Sequence, residues 1–310
     1  MVSSGFLVQF NTAVKPLEKW LKSPDVTEIM VNPSGEVWID QLGKDMENTG
    51  VKINPALAET IISLVASATK TTIGSTSPIV SAELPDGSRF EGLVPPVVAN
   101  PSFSIRKHGS MILTLDNYVE KGMVTPEQKT IFEEAVVARE NILVVGGTGS
   151  GKTTLSNAIV HAISVLTPDH RVITIEDTLE LKVSSPNLVS LRTSDNIDIT
   201  RLLKSCMRLR PDRILVGEVR GPEALALLKA WNTGHPGGVA TVHANNSLAG
   251  LTRLEQLVQE AGITDRAARP IIAEAVNLIV FIEKTKGGRK ISEIRRVLGY
   301  KNDNYDTIII

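Results

Sequence analysis

Residues Gly146 to Thr154 read Gly-Gly-Thr-Gly-Ser-Gly-Lys-Thr-Thr. Gly146, Gly151, Lys152 and Thr153 stand at the spacing of a nucleoside-triphosphate phosphate loop. Each residue type has a chemical reason. The glycines let backbone N–H groups turn inward around an anion. Lys152 brings a positive charge to the β- and γ-phosphates, and Thr153 offers a hydroxyl to Mg²⁺. The candidate phosphate-binding set is Gly147, Thr148, Gly149, Ser150, Gly151, Lys152, Thr153 and Thr154.

Hydrolysis also needs an environment for the metal and a group that orients water. Glu176 and Asp177 end the apolar run Val172–Ile175, and Glu218 ends Ile214-Leu215-Val216-Gly217. Carboxylates at the ends of buried strands are where open parallel sheets place their ligand groups. The second run resembles a Walker B strand with one departure: Gly217 stands where many such proteins carry a metal-associated Asp. Either Thr153 and waters hold Mg²⁺ with help from Glu176 or Asp177, or the metal is held weakly. His235 and His243 flank a Gly-rich strand, too far apart for the i, i+4 pair of a zinc protease. For His243, beside Asn245, the expected role is a hydrogen-bonding relay that senses the γ-phosphate; a structural role competes for His235. Arg208, Arg210, Arg213 and Arg220 cluster. They are either surface ion-pair partners or cations for developing phosphate charge.

These groups need elements to position them. Asn141–Val145 is a short apolar run suited to a strand buried on both faces. After the glycine loop, Leu155, Ala158, Ile159, Ala162, Ile163 and Leu166 repeat at helical steps until Pro168. Further strands are expected at 172–175, 214–216, 239–242 and 278–282. Helices are expected at 224–231 and from the Asn246 or Ser247 cap to Gly262, and a late hairpin turn at Lys286–Arg289. This alternation predicts a mostly parallel sheet with covered faces. Residues 1–106 read as a separate small α/β domain. It has strands at 28–31, 36–40, 89–93 and 102–106, a helix carrying Leu57 to Val65, and turns at Asn32–Gly35 and Pro85–Gly87. Residues 107–118 read as a linker and 119–310 as the second domain.

Bulk composition narrows the class. A length of 310 residues fits two domains, and 42% hydrophobic residues suffice for ordinary cores. The net charge of −1 and the absence of a basic block argue against strong nucleic-acid binding. The single cysteine, Cys206, excludes an internal disulfide and fits a reducing cytoplasm. No apolar run approaches the ~20 residues of a membrane span, and the first residues lack a signal-peptide pattern. The expectation is a soluble, intracellular protein. The apolar ending, Asp306–Ile310, reads either as a last strand or as a truncation.

Gly146–Thr154, Thr174–Leu181, Arg210–Gly221 and Thr233–Asn246 resemble, in that order, the Walker A, Asp-box, Walker B and His-box of the secretion-superfamily ATPases. Asp25–Asp40, Gly87–Pro96 and Ser102–Lys107 are also similar, so the resemblance covers nearly the whole chain. No large extra N-terminal region and no four-cysteine zinc module is present. The wording of the His-box is similar to the conjugal-transfer ring ATPases of the TrbB type, beside the type IV secretion enzymes. A pilus or type II secretion motor is the nearest alternative.

The resemblance implies a PAS-like N-terminal α/β domain and a RecA-like ATPase domain, with nucleotide between them and a hinge-type cycle. It implies ATP and Mg²⁺, with Lys152 and Thr153 on phosphate and metal and Glu176 helping to hold the metal and its waters. Glu218 would polarise the attacking water, and His243, with His235 a lesser candidate, would couple nucleotide state to conformation. Arg89 and Arg106 would reach the nucleotide from the N-terminal domain, and Arg208 or Arg210 would act nearby. It further implies a homohexameric ring, cytoplasmic and peripheral at the inner membrane, working with inner-membrane secretion or conjugation components. Two other readings stand beside the motor: a nucleotide-gated scaffold with little hydrolysis, motivated by Gly217, and a DNA or RNA translocase.

Overall fold

The computed structural model describes residues 4–41, 44–107, 113–286 and 288–310. The chain divides into two compact units. One is Met1–Met111 with Lys286–Gly288; the other is Ile112–Thr285 with Arg289–Ile310. Residues 108–112, within the segment read as a linker, lie outside the described residues.

The first unit runs α1 (Ser4–Ala13), α2 (Glu18–Lys22), β1 (Val26–Val31), β2 (Glu36–Gln41), β3 (Glu47–Lys52), α3 (Pro55–Ala68), β4 (Ile79–Glu83), β5 (Arg89–Leu93) and β6 (Ser102–Arg106). The strands form one antiparallel sheet in the order β3-β2-β1-β6-β5-β4. Its strands alternate in character, as a one-sided sheet requires. Ile29, Ile39, Phe90 and Ile105 point into a core shared with Phe6, Phe10, Ala58, Ile61, Ile62 and Val65 of α1 and α3. Asn54 caps α3 by accepting from Leu57 N, and Pro55 opens it with φ already set for a helix. Sequence reading found four of the six strands. The exposed β3 and β4 carry little apolar signal.

The second unit runs α4 (Leu115–Glu120), α5 (Pro126–Val137), β7 (Ile142–Gly146), α6 (Lys152–Leu166), β8 (Val172–Glu176), β9 (Leu188–Arg192), α7 (Ile199–Cys206), β10 (Arg213–Val216), α8 (Glu223–Asn232), β11 (Val239–His243), α9 (Ser247–Gln259), α10 (Asp265–Ala275), β12 (Leu278–Thr285), β13 (Gly288–Lys301) and β14 (Asn304–Ile309). Helix α4 occupies part of the segment read as a linker. The sheet order is β14-β13-β12-β7-β11-β10-β8-β9. From β12 to β9 all pairings are parallel, and β14 runs antiparallel to β13. Helix α6 packs on β7 and β11. Helices α7 to α10 join Leu143, Val145, Ile173, Ile175, Ile214, Val216 and Val242 in the main core. Every residue of β7, β8 and β10 is buried, which accounts for their unbroken apolar sequences. With helices on both faces of a parallel sheet, this unit has the RecA-like α/β architecture. Among the described residues no helix is long and apolar enough to cross a membrane.

Candidate functional site

The glycine loop leaves the end of β7 and enters α6. Gly149 (φ 69°) and Gly151 (φ 97°) sit in the left-handed region, which L side chains rarely occupy. Gly151 is the N-cap of α6, so the first amides and the positive end of the helix dipole face the loop. Ser150 is buried, and its Oγ has no hydrogen-bond partner. Lys152 is also buried, and its Nζ donates to Gly146 O (3.0 Å) and Gly147 O (2.9 Å). Thr148 and Gly149 are exposed, and Thr153 and Thr154 are half-buried on the first turn of α6.

The same Nζ stands 3.3 Å from His243 Nδ1. His243 Nε2 lies 2.9 Å from Glu218 Oε1. Arg220 Nη2 donates to Glu218 Oε2 at 2.6 Å, and Arg220 Nη1 is 3.8 Å from Asp177 Oδ2. Burial opposes ionisation of Glu218, but the Arg220 guanidinium, His243 and Lys152 outweigh it and hold the carboxyl below its usual range. Burial and the Lys152 charge push the His243 pKa down despite Glu218, so the ring is neutral at pH 7. Lys152 Nζ is nearly equidistant from the two ring nitrogens (3.3 Å to Nδ1, 3.4 Å to Nε2), and only Nε2 meets Glu218, which fits an N–H on Nε2 donating to that carboxylate.

Glu176 ends β8 and is almost fully buried. Its Oε1 accepts from Glu180 N and Leu181 N, both at 2.9 Å. A Cβ built on Gly217 would lie 2.9 Å from Glu176 Cγ and 3.0 Å from Oε1. The carboxylate of the neighbouring strand therefore fills the space that a side chain at 217 would need. This is the physical reason for glycine in the departure noted above. The Walker B end is fixed from both sides: Thr241 Oγ1 donates to Gly217 O (2.8 Å), and Glu223 Oε1 accepts from Arg220 N (2.7 Å) and Gly221 N (2.9 Å).

The remaining sequence candidates lie elsewhere. His235 Nδ1 donates to Pro211 O (2.9 Å), before β10 begins and so at the opposite end of that strand from Glu218. Within this unit His235 therefore lies away from His243 and Glu218. Arg208 and Arg210 are exposed at that same opposite end. Arg213 is fully buried and donates to His170 Nδ1, Gly237 O and Val136 O, a structural anchor rather than a phosphate ligand. In the first unit, Arg89 and Arg106 stand directly opposite each other on β5 and β6, with Glu83 opposite Arg89 and Glu28 opposite Arg106. Like charges side by side are unfavourable in a sheet unless something anionic offsets them.

Sequence reading missed Arg289 of β13. It is buried, and its Nε donates to Gly149 O at 3.2 Å. Nothing in Lys-Gly-Gly-Arg marks it out, because its link to the glycine loop is purely spatial.

The chain is similar to known proteins over most of its length. Residues 11–286 match the family described as Type II/IV secretion system protein. The chain is 49% identical to the conjugal transfer protein TrbB of Rhizobium radiobacter, over 93% of this chain and 88% of that one. It is 32% identical to VirB11 of Agrobacterium fabrum, over 88% and 89% of the two chains. Among solved structures it is similar to the VirB11 ATPase of the Brucella suis type IV secretion system, with a TM-score of 0.51 and 29% identity over 94% of this chain and 95% of that one. The pilus retraction motor PilT shares the fold, with a TM-score of 0.60 at 18% identity over 97% and 82% of the two chains. A family match across most of its length, and near-half identity to a TrbB relative, establish that the chain belongs to the type II/IV secretion system protein family.

Proposed function

We propose that the chain hydrolyses ATP as a ring of six copies and powers a conjugal-transfer or type IV secretion machine at the inner face of the inner membrane. The contact chain from Lys152 through His243 to Glu218, beside the glycine loop, carries this reading. It puts the phosphate-binding cation and the candidate water-orienting acid on either side of one histidine. The likeness to TrbB and VirB11 supports the conjugation branch over a pilus motor.

The chain's own residues divide the work. Lys152 exchanges the loop carbonyls for the β- and γ-phosphates. Glu218 is ionised and held low, so it accepts a hydrogen bond from water and orients it for in-line attack rather than storing a proton. His243 bonds to Glu218 and stands against Lys152, so it loses one partner when Lys152 moves to phosphate. Arg89 and Arg106 supply a paired cationic site for phosphate oxygens.

The residues also fit Mg²⁺. Among the described residues no group of three or more His, Cys, Asp or Glu side chains is placed to hold a metal. One hydroxyl, Thr153, and one buried carboxylate, Glu176, instead suit an ion that keeps its waters and takes phosphate ligands. When bound, it would neutralise charge developing on the phosphoryl oxygens.

Steady-state ATP turnover over a range of protein concentrations tests the proposal. The expected result is turnover whose specific activity rises with concentration, and a Glu218→Gln variant that binds ATP but no longer hydrolyses it. Wild-type turnover in that variant would remove Glu218 from its role.

A further inference from the structure

We infer that Arg289 is a positioning residue of the phosphate loop, which holds the Gly149–Ser150 peptide in the orientation that receives nucleotide phosphates. The inference rests on the nucleotide-binding reading of the loop and adds a residue to it. Three observations carry it. Arg289 is a charged side chain only 8% exposed. Its Nε donates to Gly149 O at 3.2 Å. Its Cδ lies where a Cβ on Gly151 would come within 2.9 Å, so the stem packs directly against the loop.

A peptide unit is planar, so fixing its carbonyl fixes its N–H on the opposite edge; that N–H, of Ser150, makes a long contact to Gly147 O (3.4 Å) which phosphate would replace. Gly149 and Gly151 both have positive φ and resist no rotation through a side chain. An unrestrained loop of this kind can turn carbonyls toward an anion as readily as amides. Here three of its carbonyls are occupied by cations: Gly146 O and Gly147 O by Lys152, and Gly149 O by Arg289. Of these two cations, Lys152 is the one expected to turn to phosphate. Arg289 then remains as the cation that keeps a loop carbonyl turned away. It comes from β13, on the far side of β12 from β7, so its place does not depend on α6, the helix that follows the loop. It also acts on the buried Tyr118 of α4, whose hydroxyl burial pushes up against the opposing Arg289 charge.

The test is ATP affinity of the full chain in EDTA, so that binding is read without turnover, together with thermal unfolding. Arg289→Ala is expected to weaken ATP binding about tenfold, the scale of one charge-assisted hydrogen bond. KM should rise in parallel while kcat falls less than about twofold, because the contact serves bound substrate and transition state alike. Arg289→Lys should recover most of the affinity. Lys290→Ala removes one positive charge from the neighbouring exposed position and should bind as wild type does. If Arg289→Ala does not fold, Arg289→Gln against Arg289→Lys carries the comparison, with the Gln variant the weaker binder. Wild-type affinity in a folded Arg289→Ala or Arg289→Gln variant overturns the inference. So does an equal loss in Lys290→Ala, which would make the effect one of net charge. Lys152→Ala reports on the nucleotide site itself. If the wild type binds no ATP, the proposed function falls and takes this inference with it; if wild type binds and Lys152→Ala does not, only the Arg289 outcome decides.

Discussion

Glycine at position 217 shows how one residue's absence of a side chain depends on another's presence. Glu176 from β8 fills the space beside it, and its Oε1 also caps the following turn through Glu180 N and Leu181 N. Restoring the acid that many phosphate-loop proteins carry there should therefore harm this one. Gly217→Asp is expected to lower ATP turnover at least ~10-fold, since a displaced catalytic-site group costs on the order of that factor. The ATP dissociation constant should change much less. A variant as active as wild type would show that Glu176 can move without cost. The sequence named both positions but not their relation, because residue 176 ends β8 and residue 217 follows β10, and the two meet only through the pairing of those strands.

At the scale of elements, register is set by buried polar side chains at strand starts. Asn141, at the foot of β7, accepts from Gly237 N (2.8 Å) and Gly238 N (2.9 Å) before β11. It also donates to Ala275 O (2.7 Å) before β12. One side chain thus ties β7 to both of its neighbours. Asn141→Ala would leave two buried amides and a carbonyl unpaired, and is expected to cost about 3 kcal/mol in denaturant unfolding. Sequence reading took Asn141 only as the first residue of the apolar run 141–145. Arg213 works similarly beneath β10, where burial holds its pKa down to about 10.

The N-terminal sheet gives a pH prediction. Burial and the neighbouring Asp40 raise the Glu28 pKa above its ordinary 4.5, and Arg106 only partly opposes them. A carboxyl raised on folding favours the folded state at low pH, and that contribution is lost as pH rises through the raised value. Glu28→Gln should therefore raise the unfolding midpoint at pH 7, with the gain vanishing below pH 4.5. A loss of stability at pH 7 would mean that attraction to the Arg106 charge outweighs burial.

For the whole molecule, a net charge of −1 offers no broad field for a polyanion. Single-stranded DNA should neither bind tightly at low salt nor accelerate ATP turnover; salt-sensitive stimulation would turn the reading toward a translocase. A ring also makes activity a collective property. ATP turnover per chain should rise with protein concentration alongside the mass seen by light scattering, and a flat profile would argue for a self-sufficient monomer.

The sequence by itself named the candidate chemistry and its local carriers. The glycine loop, the two acid-ended strands, His243 and most buried strands of the second unit were legible because each is a local pattern: a spacing, an apolar run, a cap. The pattern of departures was legible too, Gly217 among them, but not its cause. Only the tertiary structure decided the order in which these pieces meet. Along the chain β7 is followed by β8, β10 and β11; across the sheet the order is β7, β11, β10, β8. That reversal places His243 between Lys152 and Glu218 and brings Glu176 against Gly217. It also brings β12 and β13 in beside β7 on the other side, and with them Arg289 to the loop. Strand order follows from how helices pack across both faces of the sheet, a balance of contacts distant in sequence that no local propensity encodes.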